Sequence, residues 1–151
     1  MSFADVNDLY QDVILRHARQ PLHMRRPAQI DAAASGDNPM CGDRCHVFVH
    51  FARDGSAGEI GFEARGCAIS MASADLMAEA ATGHAPAAIR ALAADFAALV
   101  RTGSTDSHDP AMEQLKPLSG VSEYPSRIKC ATLPWAALLA ALDGATEATS
   151  E

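Results

Sequence analysis

CHVFVHFARDGSAGEIGFEARG, residues Cys45–Gly66, alternates apolar and polar residues on both sides of a turn-rich centre. By the two-residue period of a strand, Cys45, Val47, Val49 and Phe51 share one face. On the return, Ile60, Phe62 and Ala64 alternate with Gly61, Glu63 and Arg65. The stretch Asp54–Gly58 supplies turn residues, so the segment predicts a β-hairpin. His46 and His50 fall on the face opposite Cys45, where surface or interface residues belong rather than ligands.

The period changes outside the hairpin. After Gly66 and Cys67, Ile69, Ala72/Ser73, Leu76/Met77 and Ala80 recur at helical spacing, and Gly83 stops the run. Met71 and Met77 are read as helix packing. Pro86 suits the first turn of a helix over Ala87–Arg101 that Gly103 closes. A polar loop, TGSTDSHDP, leads to a short helix around Ala111–Leu115. SRIKCATL and PWAALLAALDG read as two helical pieces, because Pro134 breaks a continuous helix but suits the start of a new one. Upstream, Phe3, Val6, Leu9/Tyr10 and Val13/Ile14 predict a helix that ends before Pro21, with Ser2 as N-cap and Asp5 three residues later. Residues 20–37 read as loop with a short strand around Ile30–Ala34. The expectation is an α+β fold: a small antiparallel β-sheet with helices packed on one face, forming a single domain over 1–143 with a flexible tail at 144–151.

A chain of 151 residues is one ordinary domain, long enough to bury a core without disulfide staples. A net charge of −7 argues against a phosphate-binding surface, so no nucleic-acid partner is expected. No apolar run approaches the roughly 20 residues of a membrane span, and the acidic, amphipathic N-terminus is unlike a signal peptide. A cytoplasmic location follows as an expectation. Thiols stay reduced there, so the four cysteines are ligands, nucleophiles or core residues rather than disulfides.

Cys41 precedes the first hairpin strand and Cys67 follows the second. Paired strands lie about 5 Å apart, so Cys67 comes near Cys41 and Asp43. Cys130 is distant in sequence, near the start of a C-terminal helix. Three thiols and one carboxylate can converge from three segments, but no C-x-x-C pair is present. On the residues alone, a metal or reactive-thiol site stands against buried core cysteines. Asp43 is either a ligand or simple Gly-Asp turn chemistry. Cys45 shares strand parity with Val47 and Val49, which favours a small buried hydrophobe over a fourth thiol ligand. His17, His23, His84 and His108 are scattered and give no site signal.

NPMCGDR (38–44), GCAISMASADLM (66–77) and SRIKCATLPW (126–135) are long and specific. In order, they resemble the three cysteine motifs of the SufU branch of the IscU/NifU-like iron–sulfur assembly family, over roughly residues 3–142. Where IscU scaffolds usually carry a histidine before the last cysteine, this chain has Lys129, as SufU proteins do. The long interval from Cys67 to Cys130 matches the helical insertion of that branch, here around Ala87–His108. The resemblance implies a zinc site of Cys41, Asp43, Cys67 and Cys130, and makes Asp43 a ligand. It implies Cys41 as the acceptor of persulfide sulfur from a SufS-type cysteine desulfurase, with other cluster-assembly proteins as further partners. The activity would be that of a zinc-dependent sulfurtransferase. The rival within the family is a scaffold that builds a transient [2Fe–2S] cluster on the same cysteines. A structural zinc module with unreactive thiols is the third reading.

Zinc has no redox chemistry, so its part would be to hold the thiolates and shield them. Cys41 must come free to react, because the rate of attack on sulfur depends on thiolate fraction and access. Arg127 either stabilises the thiolates or steers a partner, or is a solvated helix residue. For Lys129 the solvated reading leads.

Overall fold

A computed structural model describes residues 3–149, and the side chains of residues 10–148. Ser2 lies outside the described residues, as do the side chains of Phe3, Asp5, Val6 and Leu9. The elements are α1 (Phe3–Arg19), β1 (Ala32–Asn38), β2 (Asp43–Phe51), β3 (Ala57–Arg65), α2 (Ala68–Ala81), α3 (Pro86–Thr102), α4 (Pro110–Leu115), a 3₁₀ segment (Lys116–Glu123), α5 (Pro125–Leu142) and β4 (Glu147–Thr149).

The strands form one four-stranded sheet in the order β3-β2-β1-β4. The β2–β3 hairpin is antiparallel and pairs Val47 with Phe62 and Val49 with Ile60. β1 begins two residues later than the sequence suggests and runs further, pairing Asn38 with Asp43 across a tight turn. Its small residues Ala34 and Gly36 match Val47 and Cys45. A Cβ on Gly36 would lie 2.9 Å from Leu133 Cδ1, so α5 sits directly on this strand. The sheet is mixed rather than wholly antiparallel, because β4 pairs in parallel with β1. That strand lies inside the segment expected as a tail.

One face of the sheet carries Ala34, Cys45, Val47, Val49, Ile60 and Phe62, all buried beneath the helices. α5 packs on β1 and β2, while α2 packs on β3. The opposite face is partly covered by the loop after α1. There Phe62 N donates to His23 O at 3.1 Å, and a Cβ on Gly61 would meet Arg25 O at 2.1 Å. Phe48 is buried on this side, beneath the Arg26 guanidinium at 4.8 Å and beside the His46 ring at 4.4 Å. His46 and His50 are half-buried there, and His50 bonds Asp31 at 2.9 Å.

α2 is the central helix, packed against α1, α4, α5 and β3. Every residue from Ala72 to Ala78 is buried, which its alanines permit by letting neighbours approach closely. Asp75 is fully buried at its middle. Its carboxylate bonds His17 Nδ1 at 2.6 Å and accepts from His23 N at 2.8 Å, tying α1 and the following loop to α2. Met77 is buried in the core, as expected.

α3 begins at Pro86 and ends on Gly103, whose φ of 86° places it in the left-handed region. α5 differs from the sequence reading. It is one continuous helix through Pro134, not two pieces. Proline removes only the donor for the Cys130 carbonyl, whereas burial of Ala131, Leu133, Trp135, Ala137 and Leu138 favours continuation. Ser73 Oγ of α2 donates to the next carbonyl, Ala131 O, at 2.5 Å. Trp135 stacks on Phe96 of α3 with centroids 4.9 Å apart. The PLSGVSE run before α5 forms the 3₁₀ segment, for which the sequence reading assigned no structure. Among the described residues no helix is long and apolar enough to cross a membrane.

Candidate functional site

The β1–β2 turn places two of the candidate residues. Cys41 N and Gly42 N both donate to Asn38 O, at 3.2 and 2.8 Å, and Gly42 has a φ of 73°. This tight reversal exposes Cys41 at the turn and starts β2 at Asp43, whose side chain is buried on the helix-covered face. The hairpin register then brings the end of β3 back beside the start of β2, with Arg44 opposite Arg65. Cys67 follows two residues later as the N-cap of α2. Cys130 enters from the second turn of α5, buried.

Cys41, Asp43 and Cys130 form a close cluster, and Cys67 joins it beside the Asp43 carboxylate. Cys130 Sγ lies 3.6 Å from Cys41 Sγ. Cys67 Sγ lies 3.6 Å from Asp43 Oδ2, and Cys67 N donates to Asp43 Oδ1 at 2.9 Å. Ligand atoms of Cys41, Asp43 and Cys130 all fall within 4.8 Å of one another. Gly66 is required by this arrangement: a Cβ there would lie 2.1 Å from Asp43 Oδ1. Asp43 therefore does more than turn the chain, since its carboxylate is buried and holds the start of α2.

Burial pushes the Cys130 thiol up, assisted by its hydrogen bonds with Asp43 and Cys41 and by the charge of Cys67. Negative groups this close disfavour one another's ionised forms. A cation among them would reverse that, because thiolate ligands must be deprotonated to bind. Cys67 Sγ accepts from Ser70 N at 3.5 Å, as a side chain capping a helix N-terminus does. Asn38 Nδ2 donates to Cys41 Sγ at 3.5 Å.

Cys45 lies in the core at 1% exposure, its thiol pushed up to about 12 by burial. It is not in the cluster, which matches its reading as a small hydrophobe. Arg127 and Lys129 are exposed, and neither bonds a sulfur among the described residues. The Arg127 guanidinium instead lies 4.8 Å over the Tyr124 ring. Arg127 and Tyr124 line an open cleft of about 710 Å³ that runs from Cys41, Cys67 and Cys130 between α1, the 3₁₀ segment and the start of α5. Tyr10, Ile14, Ile69 and Val121 form its apolar walls.

Sequence reasoning missed Asn38 and the His17–Asp75 pair. His17 had a readable signal: it follows Val13/Ile14 by one helical turn on the apolar stripe of α1. Asn38 had none beyond its place in NPMCGDR.

The chain matches the model of the NifU-like N-terminal domain over residues 9–131. It is 34% identical over 142 residues to a Streptococcus pyogenes serotype M1 protein named iron-sulfur cluster assembly scaffold protein IscU, covering 94% of this chain and 87% of that one. It is 35% identical over 140 residues to the Bacillus subtilis protein named zinc-dependent sulfurtransferase SufU, covering 91% and 92%. In fold it is similar to a putative iron-sulfur cluster assembly scaffold protein for the SUF system from Fervidobacterium islandicum, with a TM-score of 0.79 at 24% identity over 90% of this chain and 98% of that one. With its cysteine-bearing turn, its helix-capping Cys67 and a match that spans most of its length, the chain belongs to the NifU-like N-terminal domain family, to which its IscU- and SufU-named relatives also point.

Proposed function

We propose that this protein acts in iron–sulfur cluster assembly as a zinc-binding sulfur acceptor, with Cys41, Asp43, Cys67 and Cys130 as ligands and Cys41 as the residue that receives sulfur. One observation carries the reading: Cys41, Asp43 and Cys130 converge within 4.8 Å of one another with Cys67 beside the Asp43 carboxylate, and the two closest pairs have the separations of ligands on a tetrahedral ion. With Zn–S near 2.3 Å and Zn–O near 2.1 Å, tetrahedral geometry separates two sulfurs by about 3.8 Å and a sulfur from an oxygen by about 3.6 Å. The Cys41–Cys130 and Cys67–Asp43 separations are both 3.6 Å. Three thiols with one carboxylate also form a zinc-type donor set.

A bound zinc ion would keep the thiols deprotonated and protected. Cys41 is suited to the transfer because it is exposed and lies at the mouth of the cleft. Its thiolate attacks the outer sulfur of a partner's persulfide, R–S–SH. A new Cys41 S–S bond forms, the persulfide's own S–S bond breaks, and R–S⁻ leaves with the electron pair. The proton stays on the transferred sulfur and no net oxidation occurs. The matching donor is a cysteine desulfurase of the SufS type. The zinc-dependent name of the Bacillus subtilis relative supports this reading.

The second reading is a scaffold that assembles a transient iron–sulfur cluster on the same thiols, as the name of the Streptococcus pyogenes relative suggests. The exposed Lys129 at the position before Cys130 supplies no ligand, which favours zinc. The two are separated by purifying the protein with and without oxygen and measuring zinc, iron and visible absorbance. The test of transfer is desulfurase turnover with added protein. Wild type is expected to stimulate it, and Cys41→Ser is expected to lose that stimulation while its three remaining ligands still hold zinc, at lower affinity. Undiminished transfer by Cys41→Ser would rule the acceptor assignment out.

A further inference from the structure

Asn38 ends β1 and is 1% exposed, although asparagine is most often found at surfaces. Its polar atoms serve the turn that carries Cys41. The backbone carbonyl accepts from Cys41 N and Gly42 N, and Oδ1 accepts from Met40 N at 3.2 Å. Among the described residues, Nδ2 has one acceptor, the Cys41 sulfur at 3.5 Å. The first three bonds could be made as well by aspartate. Only the amide nitrogen distinguishes asparagine there, and that nitrogen is directed to sulfur.

Cys41 needs such a hold. It lies in an exposed turn beside Met40, which is 87% exposed, so packing does not fix its side chain. We infer that Asn38 is a positioning residue for the Cys41 sulfur, its buried amide N–H keeping that thiol in register with Asp43 and Cys130. Outer partners that orient a ligand typically change metal affinity or activity 10–100-fold when removed. What the hold does for sulfur transfer rests on the proposed function; the hydrogen bond itself does not.

Two substitutions separate the donor from the turn. Asn38→Asp keeps the acceptor for Met40 N and the backbone bonds but has no amide N–H. Asn38→Ala removes both side-chain bonds. Zinc affinity is measured by competition with a chromophoric chelator, and cobalt(II) loading reports the thiolate-to-metal charge-transfer band. Both variants are expected to bind zinc about 10–100-fold more weakly and to shift that band. In the desulfurase assay both should lower kcat at an unchanged half-saturating concentration, since a buried residue does not touch the partner. A purely structural role for the turn predicts that Asn38→Asp resembles wild type. Wild-type zinc affinity and cobalt spectrum in Asn38→Asp would overturn the inference whatever the desulfurase assay gives. If wild type stimulates no desulfurase while both variants lose zinc, the sulfur-acceptor reading falls and the role of Asn38 stands.

Discussion

At the scale of single residues, Gly66 has the strictest requirement. Its backbone passes so close to Asp43 that a methyl group would overlap the carboxylate, 2.1 Å from Oδ1. Gly66→Ala must therefore displace Asp43, the residue that joins the β1–β2 turn to α2. Zinc affinity is expected to fall about 10–100-fold, the range typical of a disturbed ligand support. Chelator competition measures the loss, and a circular dichroism spectrum matching wild type would show that the fold survives. Much of the site was readable at this scale. The hairpin parity already placed Cys45 in the core and brought Cys67 back to Asp43. Cys130 was placed by its motif, because 89 residues separate it from Cys41 and no local pattern spans that interval. The amide of Asn38 was not legible, since a side chain's hydrogen-bond partner leaves no periodic trace.

Among the elements, α1 is held to α2 by an unusual device for a helix with so apolar an environment. Asp75 is fully buried and receives His17 and the backbone of His23. Asp75→Ala leaves both without a partner. A buried orphaned donor costs about 1–3 kcal/mol, and His23 N can recover some hydration. The unfolding free energy is expected to drop by about 2–4 kcal/mol, read from urea denaturation, with Asp75→Asn milder because one acceptor oxygen remains. An unchanged midpoint for Asp75→Ala would contradict the account. Helix existence was legible in the periodicity of α1, α2 and α3. The continuity of α5 was not, because proline's local preference lost to burial on both sides of Pro134, which only tertiary structure reveals. β4 was missed for the same reason: Glu147–Thr149 has no strand pattern of its own and is ordered by β1.

For the whole molecule, the proposed ion would join three segments: the β1–β2 turn, the start of α2 and the second turn of α5. Such a ligand stabilises the folded state by mass action, adding about 2.7 kcal/mol at a free concentration 100 times its dissociation constant. Stripping zinc with a chelator is therefore expected to lower the melting temperature by roughly 5–10 °C for a chain of this size. Differential scanning calorimetry of the loaded and stripped protein checks this, and equal transitions would deny the ion any part in the fold. The same closeness of strands has a consequence at the sheet's rim. β1 is built of small residues, Ala32 to Gly36, that would offer a stranger's backbone an inviting template, and β4 pairs with its later half, Ser35–Asp37, with Ser35 N donating to Thr146 O at 3.0 Å. The other rim, β3, bears Glu59, Glu63 and Arg65, charges that discourage stacking of one molecule on the next. A few residues near the C-terminus thus close part of an edge that a foreign strand could otherwise extend.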